Sequence, residues 1–245
     1  MTSTKLSANA DTGNQITPRL RQLRERIERA CDASHRNPTE ISLLAVSKTQ
    51  PADALMAAYN SGQRAFGENY LQEAEGKIDA LPEDCEWHFI GPIQSNKTRT
   101  IAERFDWVHS VDRLKIARRL SEQRPQSAPP LKICLQVNIS GEASKSGVEP
   151  DQLAALYQAV AALPQLQVMG LMSLPRPTDD PELQRQGFRQ LRELRDNICP
   201  QAPVLSMGMS QDLEAAVAEG STLLRIGTAL FGPRASNQTA QDSRA

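Results

Sequence analysis

The chain predicts an α/β fold, a single (β/α)8 TIM barrel with an additional N-terminal helix, and three observations carry that prediction. Eight short aliphatic-rich runs alternate with segments of helical period along the 245 residues. Alternating β and α units give parallel strands, and eight such units in about 250 residues is the size at which the sheet closes on itself. Polar residues follow the C-terminal ends of the runs, where that fold gathers its chemistry. An open doubly wound sheet is the alternative, and the lack of a glycine-rich dinucleotide fingerprint after the first run weakens it.

The elements follow in order. Residues 1–15 are polar and read as a disordered tail. Segment 17–34 has Leu20, Leu23, Ile27 and Ala30 at helical spacing on a charged background, the additional helix. Strand-like runs then occur at 41–48, 64–69, 87–91, 107–111, 132–138, 167–174, 204–208 and 223–232. Helical patterns at 52–61, 70–80, 96–104, 113–123, 151–162, 181–198 and 211–219 lie between them. The proline-rich stretches 123–130 and 175–181 each join one element to the next, so neither marks a domain boundary. The expected organisation is a single barrel over 16–234, flanked by the tail 1–15 and a polar, disordered tail over 235–245.

Composition excludes several classes. The net charge of -1 recommends neither nucleic acid nor an anionic membrane as partner. No apolar stretch approaches the roughly 20 residues that span a bilayer, and the polar N-terminus reads as neither signal peptide nor anchor. Cys31, Cys85, Cys134 and Cys199 are far apart in the chain, which suits reduced, buried thiols in a cytoplasmic protein. His35, His88 and His109 have no helical metal-ligand spacing, so no metal site is expected.

Lys48 is the most informative residue. It closes the apolar run Ile41 to Ser47 just before Thr49-Gln50-Pro51, where a buried strand emerges and a helix begins. Desolvation there lowers a lysine pKa toward the neutral amine that attacks a carbonyl. The plain alternative is a solvated lysine at a strand end. Other polar residues fall at the ends of other runs: Asn69 after the second, Asn138 after the fifth, Ser173 after the sixth.

The seventh and eighth units resemble a phosphate site. Ser206-Met207-Gly208-Met209-Ser210 precedes a helix, and Arg225-Ile226-Gly227-Thr228 belongs to the last run. In barrels of this kind the loops after strands seven and eight often hold phosphate, with glycines admitting close backbone approach. Ser210 also suits an N-cap for the helix carrying Glu214. A lysine on strand one facing an anion site on strands seven and eight fits pyridoxal 5'-phosphate (PLP), which takes an amine, an anion cradle and a group at its ring nitrogen. Arg225 is the candidate for the ring nitrogen, since a guanidinium can only donate there. An ion pair at the barrel wall is its alternative role.

Several longer segments carry a family resemblance. They are 45–48 (AVSK), 66–70 (FGENY), 88–97 (HFIGPIQSNK), 170–173 (GLMS), 206–210 (SMGMS) and 225–232 (RIGTALFG). Together they closely resemble the pyridoxal phosphate homeostasis protein family over residues 17–234. The resemblance implies a single (β/α)8 barrel similar to the N-terminal domain of alanine racemase. It further implies that Lys48 forms the internal aldimine, a Schiff base with PLP, and that Ser206, Ser210, Gly227 and Thr228 hold the phosphate. Arg225 would face the pyridine nitrogen and Asn69 would line the pocket.

Carrier and enzyme are then the competing readings. Racemisation needs an acid and a base on opposite faces of the substrate. In alanine racemases the second group is a tyrosine from a β-rich domain, for which this sequence shows no counterpart. Tyr59, Tyr70 and Tyr157 all fall in predicted helices. The expectation is therefore an intracellular PLP carrier or buffer, a monomer, with PLP-dependent apoenzymes as recipients; a low-activity PLP-dependent amino-acid racemase is the alternative. Lys145, in the polar loop 140–147, is one of only seven lysines and is a candidate for transient PLP contact, against the plain role of a solvated loop residue. The arginines 19, 21, 24, 26 and 29 are interrupted by Glu25 and Glu28 and read as a solvated helix face.

Overall fold

A computed structural model describes residues 3–142 and 146–233, with side chains from Gln15 onward. Eight parallel strands close a barrel in sequence order: β1 (Ser42–Val46), β2 (Ala65–Glu68), β3 (Glu86–Phe89), β4 (Trp107–Val111), β5 (Leu131–Gln136), β6 (Leu166–Met172), β7 (Val204–Ser206) and β8 (Leu223–Ile226). The sheet closes through β1 and β8, where Leu44 stands opposite Arg225 and Ala45 opposite Ile226. No open edge remains between these strands.

Helices surround the barrel: α1 (Ser3–Ala33), α2 (Ala52–Asn60), α3 (Leu71–Ala80), α4 (Thr98–Arg104), α5 (Leu114–Gln123), α6 (Leu153–Ala161), α7 (Pro181–Ile198), α8 (Leu213–Ala218) and α9 (Thr228–Phe231). The amphipathic period explains them. On α5, Ile116, Ala117, Leu120 and Ser121 are buried at helical spacing. Asp180 caps α7 by accepting from the amides of Glu182 and Leu183, and Pro181 occupies the first helical position, where its missing N–H costs nothing.

α1 begins at Ser3, inside the segment read as a tail, and among its described side chains Ile16, Leu20, Leu23, Ile27 and Ala30 are buried. Each such aliphatic burial contributes about 1.5–3 kcal/mol for the larger side chains. The helix is not simply a solvated arginine face. Arg26 makes a two-pronged ion pair with Glu214, both bonds 2.6 Å, and donates to the Ser210 carbonyl at 2.8 Å.

The last apolar run differs from expectation. Strand β8 stops at Ile226, and residues 228–231 turn into α9 with Gly227 at its N-cap. Only Gly227 and Thr228 mark the junction within that run, and periodicity cannot distinguish a short apolar helix from a strand. Gly170 marks another close approach: a Cβ there would lie 1.7 Å from the Val204 carbonyl oxygen on β7. The four cysteines are free and buried. No helix among the described residues is long and apolar enough to cross a membrane.

Candidate functional site

A cavity of about 400 Å³ opens at the C-terminal ends of the strands. Lys48 from the β1–α2 loop, Asn69 after β2, Ser210 from the β7–α8 loop, and Arg225, Gly227 and Thr228 from the β8–α9 region all line it. Barrel closure therefore joins residues 177 positions and more apart, as between Lys48 and Arg225. Met172, Met209, Asp212 and Gln184 line it too, unmarked in the sequence by any charge pattern or spacing.

Ser206 is not on the wall. Its hydroxyl is buried beneath the cavity, accepting from Arg225 Nη1 and lying against His109 Nδ1, each at 2.8 Å. Side chains alternate along a strand, and the position of Ser206 sends it to the barrel interior rather than to the rim. Ser210 is not the helix cap either. Asp212 takes the N-cap position of α8 and its carboxylate accepts from the Met209 amide, while Ser210 Oγ accepts from the Ala229 amide at 3.2 Å. That bond ties the loop after β7 to the start of α9. Among the described residues, no backbone carbonyl accepts from the amides of Ser210, Gly227 or Thr228.

The glycine in this loop has a steric reason. Gly208 has φ +93°, and a Cβ there would meet Ala216 Cβ at 2.5 Å and Leu224 Cδ2 at 2.7 Å. Only glycine lets this loop pack against Ala216 and Leu224 in that conformation.

Arg225 is 4% exposed. Nη1 donates to both the carbonyl and the hydroxyl of Ser206, and Nη2 donates to the Ser173 carbonyl. These bonds are to neutral groups, so Arg225 is no wall ion pair, and burial lowers its pKa to about 10. Its side chain also lines the cavity, where a guanidinium can only donate. Asn69 offers the complementary sign of evidence: its Oδ1 is buried and has no hydrogen-bond partner. Such an orphan in a cavity wall suits a ligand.

The turn carrying Lys48 is clamped from α3. Thr49 has φ +64°, a left-handed conformation that is strained for a β-branched residue, and Glu73 accepts from its amide at 2.9 Å. Lys77 donates to the Ser47 carbonyl and to Glu68 Oε1, both at 2.8 Å, and Ser47 Oγ donates to the same carboxylate oxygen at 2.6 Å. Glu68 is fully buried; burial pushes its pKa up, against the opposing bonds from Lys77 and Ser47. Sequence reading missed this clamp, whose only trace was an acid inside an apolar strand. Lys145 lies outside the described residues, as do Ala143 and Ser144.

A lysine at the mouth of a (β/α)8 barrel, an arginine on the last strand and a polar cradle between strands seven and eight define a barrel of the alanine racemase N-terminal type. The family model for "Alanine racemase, N-terminal domain" matches residues 19–235. A pyridoxal phosphate homeostasis protein from Pseudomonas aeruginosa is 58% identical over 220 residues, covering 89% of this chain and 96% of that one. The Escherichia coli protein of the same name is 50% identical over 228 residues, covering 90% and 97%. The chain belongs to the pyridoxal phosphate homeostasis protein family. Among solved structures, PipY of Synechococcus elongatus with PLP bound is 40% identical, with a TM-score of 0.77, over 89% of this chain and 100% of that one. Alanine racemase from Corynebacterium glutamicum shares the fold at 19% identity and a TM-score of 0.71, over 90% of this chain and 62% of its own.

Proposed function

We propose that this protein binds pyridoxal 5'-phosphate in the rim cavity, as a Schiff base on Lys48, and serves PLP homeostasis as a carrier or buffer. The observation that carries the reading is the convergence of an amine, a guanidinium and a hydroxyl-and-amide cradle on one cavity of about 400 Å³. The groups fit the ligand. Lys48 supplies the amine that condenses with the aldehyde, releasing water. Ser210 and Thr228 offer hydroxyls, and the amides of Gly227 and Thr228 offer donors, to the phosphate. Arg225 would donate to the ring nitrogen, and the orphaned Asn69 Oδ1 would accept from a donor on the ligand. The name of the 58% identical relative and the PLP held by the 40% identical structure support this reading.

The cavity wall also bears on catalysis. Among the described residues that line it there is no tyrosine, histidine or cysteine, and the one carboxylic acid, Asp212, is engaged with the Met209 amide. Tyr59 hydrogen-bonds Asp84 at the surface, and Tyr70, one residue ahead of α3, is 53% exposed. This supports holding and release over turnover, with PLP-dependent apoenzymes as recipients. Four buried free thiols suit a reducing, cytoplasmic setting, and a monomer is the assembly proposed.

The test is an absorption spectrum with PLP, followed by borohydride reduction and peptide mass spectrometry. An adduct on Lys48 that disappears in Lys48→Ala is the expected result. An adduct spread over surface lysines would overturn the proposal. Racemisation of free amino acids by the loaded protein, well above PLP alone, would replace carrier by enzyme.

A further inference from the structure

Arg225 is one end of a hydrogen-bond chain that runs down the barrel interior. It donates to Ser206 Oγ at 2.8 Å; Ser206 Oγ lies 2.8 Å from His109 Nδ1; His109 Nε2 lies 2.9 Å from His88 Nδ1; His88 Nε2 lies 3.2 Å from Glu86 Oε2. Ser206, His109 and His88 are buried. Glu86, at the start of β3, reaches a second cavity of about 580 Å³ among the N-terminal ends of the strands. The chain therefore spans the barrel from one face to the other.

Its direction is forced from both ends. A guanidinium has no acceptor, and an ionised carboxylate has no donor. Glu86 stays ionised, because the bond from His88, helped by Trp107 and Lys132, lowers its pKa to about 2. His88 must donate from Nε2. Burial lowers the pKa of both histidines, so His88 is neutral and accepts at Nδ1. His109 then donates from Nε2 and accepts at Nδ1, and the Ser206 hydroxyl donates to it while accepting from Arg225. Every proton points from Arg225 toward Glu86, and no donor meets a donor. Bonds aligned head to tail in this way strengthen one another.

Such a chain either carries a proton or holds a charge in place, and magnitudes decide between the two. A guanidinium holds its proton far more tightly than a carboxylate whose pKa is lowered by its hydrogen bonds, so moving a proton along the whole chain is strongly unfavourable. The Cys134 thiol near Arg225, pushed up to about 12 by burial, stays neutral and does not compete. We infer that His109, His88 and Glu86 are positioning residues that hold Arg225 as an oriented, cationic donor to the cofactor's ring nitrogen and couple it to charge at the opposite face of the barrel. This inference rests on the proposed placement of PLP against Arg225.

The chain makes a prediction for the protein without ligand. Nitrogen-15 NMR of labelled histidine should find His88 and His109 neutral and protonated on Nε2 between about pH 6 and 8, as the forced direction requires. A charged ring, or an Nδ1–H tautomer at either residue, overturns the inference. The second measurement uses PLP labelled at its ring nitrogen. His109→Leu removes the middle of the chain; Glu86→Gln, at a partly exposed position, keeps the fold accessible if the first variant does not express. In either variant the ring-nitrogen resonance should move toward that of an unbonded pyridine, and PLP affinity should fall by roughly tenfold. A purely structural role for the chain would leave that resonance in place. Trapping of PLP on Lys48 with an unchanged resonance in Glu86→Gln overturns the inference alone. Failure of the unsubstituted protein to trap PLP on Lys48 overturns the functional reading, and the inference with it.

Discussion

Thr49 sits in a left-handed conformation immediately after the lysine on which the function is proposed to depend, and three side chains keep it there. Glu73 takes its amide, while Lys77 and Glu68 fix the carbonyl and hydroxyl of Ser47 on the other side of Lys48. Strain of about 1–3 kcal/mol at such a residue persists only where its surroundings over-determine it. Thr49→Gly should relieve it, raising the unfolding free energy by about 1 kcal/mol in urea titration while loosening the Lys48 turn. Lys77→Met should cost about 3–5 kcal/mol, since it strands the fully buried Glu68 without its cation. Adding Glu68→Gln to that variant should restore much of the loss. A double-mutant cycle showing simple additivity would contradict the coupling. Lys48 was legible because a charge closing an apolar run stands out, and Arg225 because a charge inside one does. The clamp was not, because nothing in the chain says that Glu73 and Lys77 face back toward β1.

Strand β6 and strand β7 approach so closely at Gly170 that the backbone of one fills the space of the other's side chain. Gly170→Ala should therefore lower stability by about 3 kcal/mol, read as a shift of the urea midpoint with unchanged slope. Helix α7 is held by a different device. Arg185, Arg189 and Arg192 converge on Glu219, which is 2% exposed just after α8. Most of the strands and helices could be placed by period alone, and α7 coincides with its expected range of 181–198. The exception, the helix at 228–231, follows an apolar strand with only Gly227 and Thr228 at the junction. Its existence matters to the site, because it brings Thr228 and the Ala229 amide to Ser210.

The closed barrel makes stability and the site depend on the same interior. Two neutral histidines and one ionised carboxylate lie on its central chain, and their pKa shifts have one sign. For His88 and His109, folded values lie below the unfolded value of 6.5, so the unfolded chain binds more protons and stability falls as pH drops below that point. For Glu86, the folded value of about 2 lies below the ordinary value of 4.5, so a further loss follows between those limits. Thermal unfolding should show a plateau near neutrality and a descent from about pH 6.5 downward, with a steeper limb below about 4.5. His109→Leu, if it folds, should flatten the upper part of that descent. Light scattering should report the proposed monomer with and without PLP, and a dimer mass would contradict it.

Composition and period alone established the eight-fold β/α alternation, the N-terminal helix and the strand ends at which Lys48, Asn69 and Arg225 would emerge. These are local properties: a period of 2 or 3.6 and a charge after an apolar run are read from neighbours in the chain. Tertiary closure decided the rest. It turned Ser206 inward to Arg225, set Asp212 rather than Ser210 as the helix cap, and aligned His109, His88 and Glu86 into one polarised chain. Those relations depend on which residues of different strands share a level inside the barrel. The register between strands sets that level, and it exists only once the eight strands have closed.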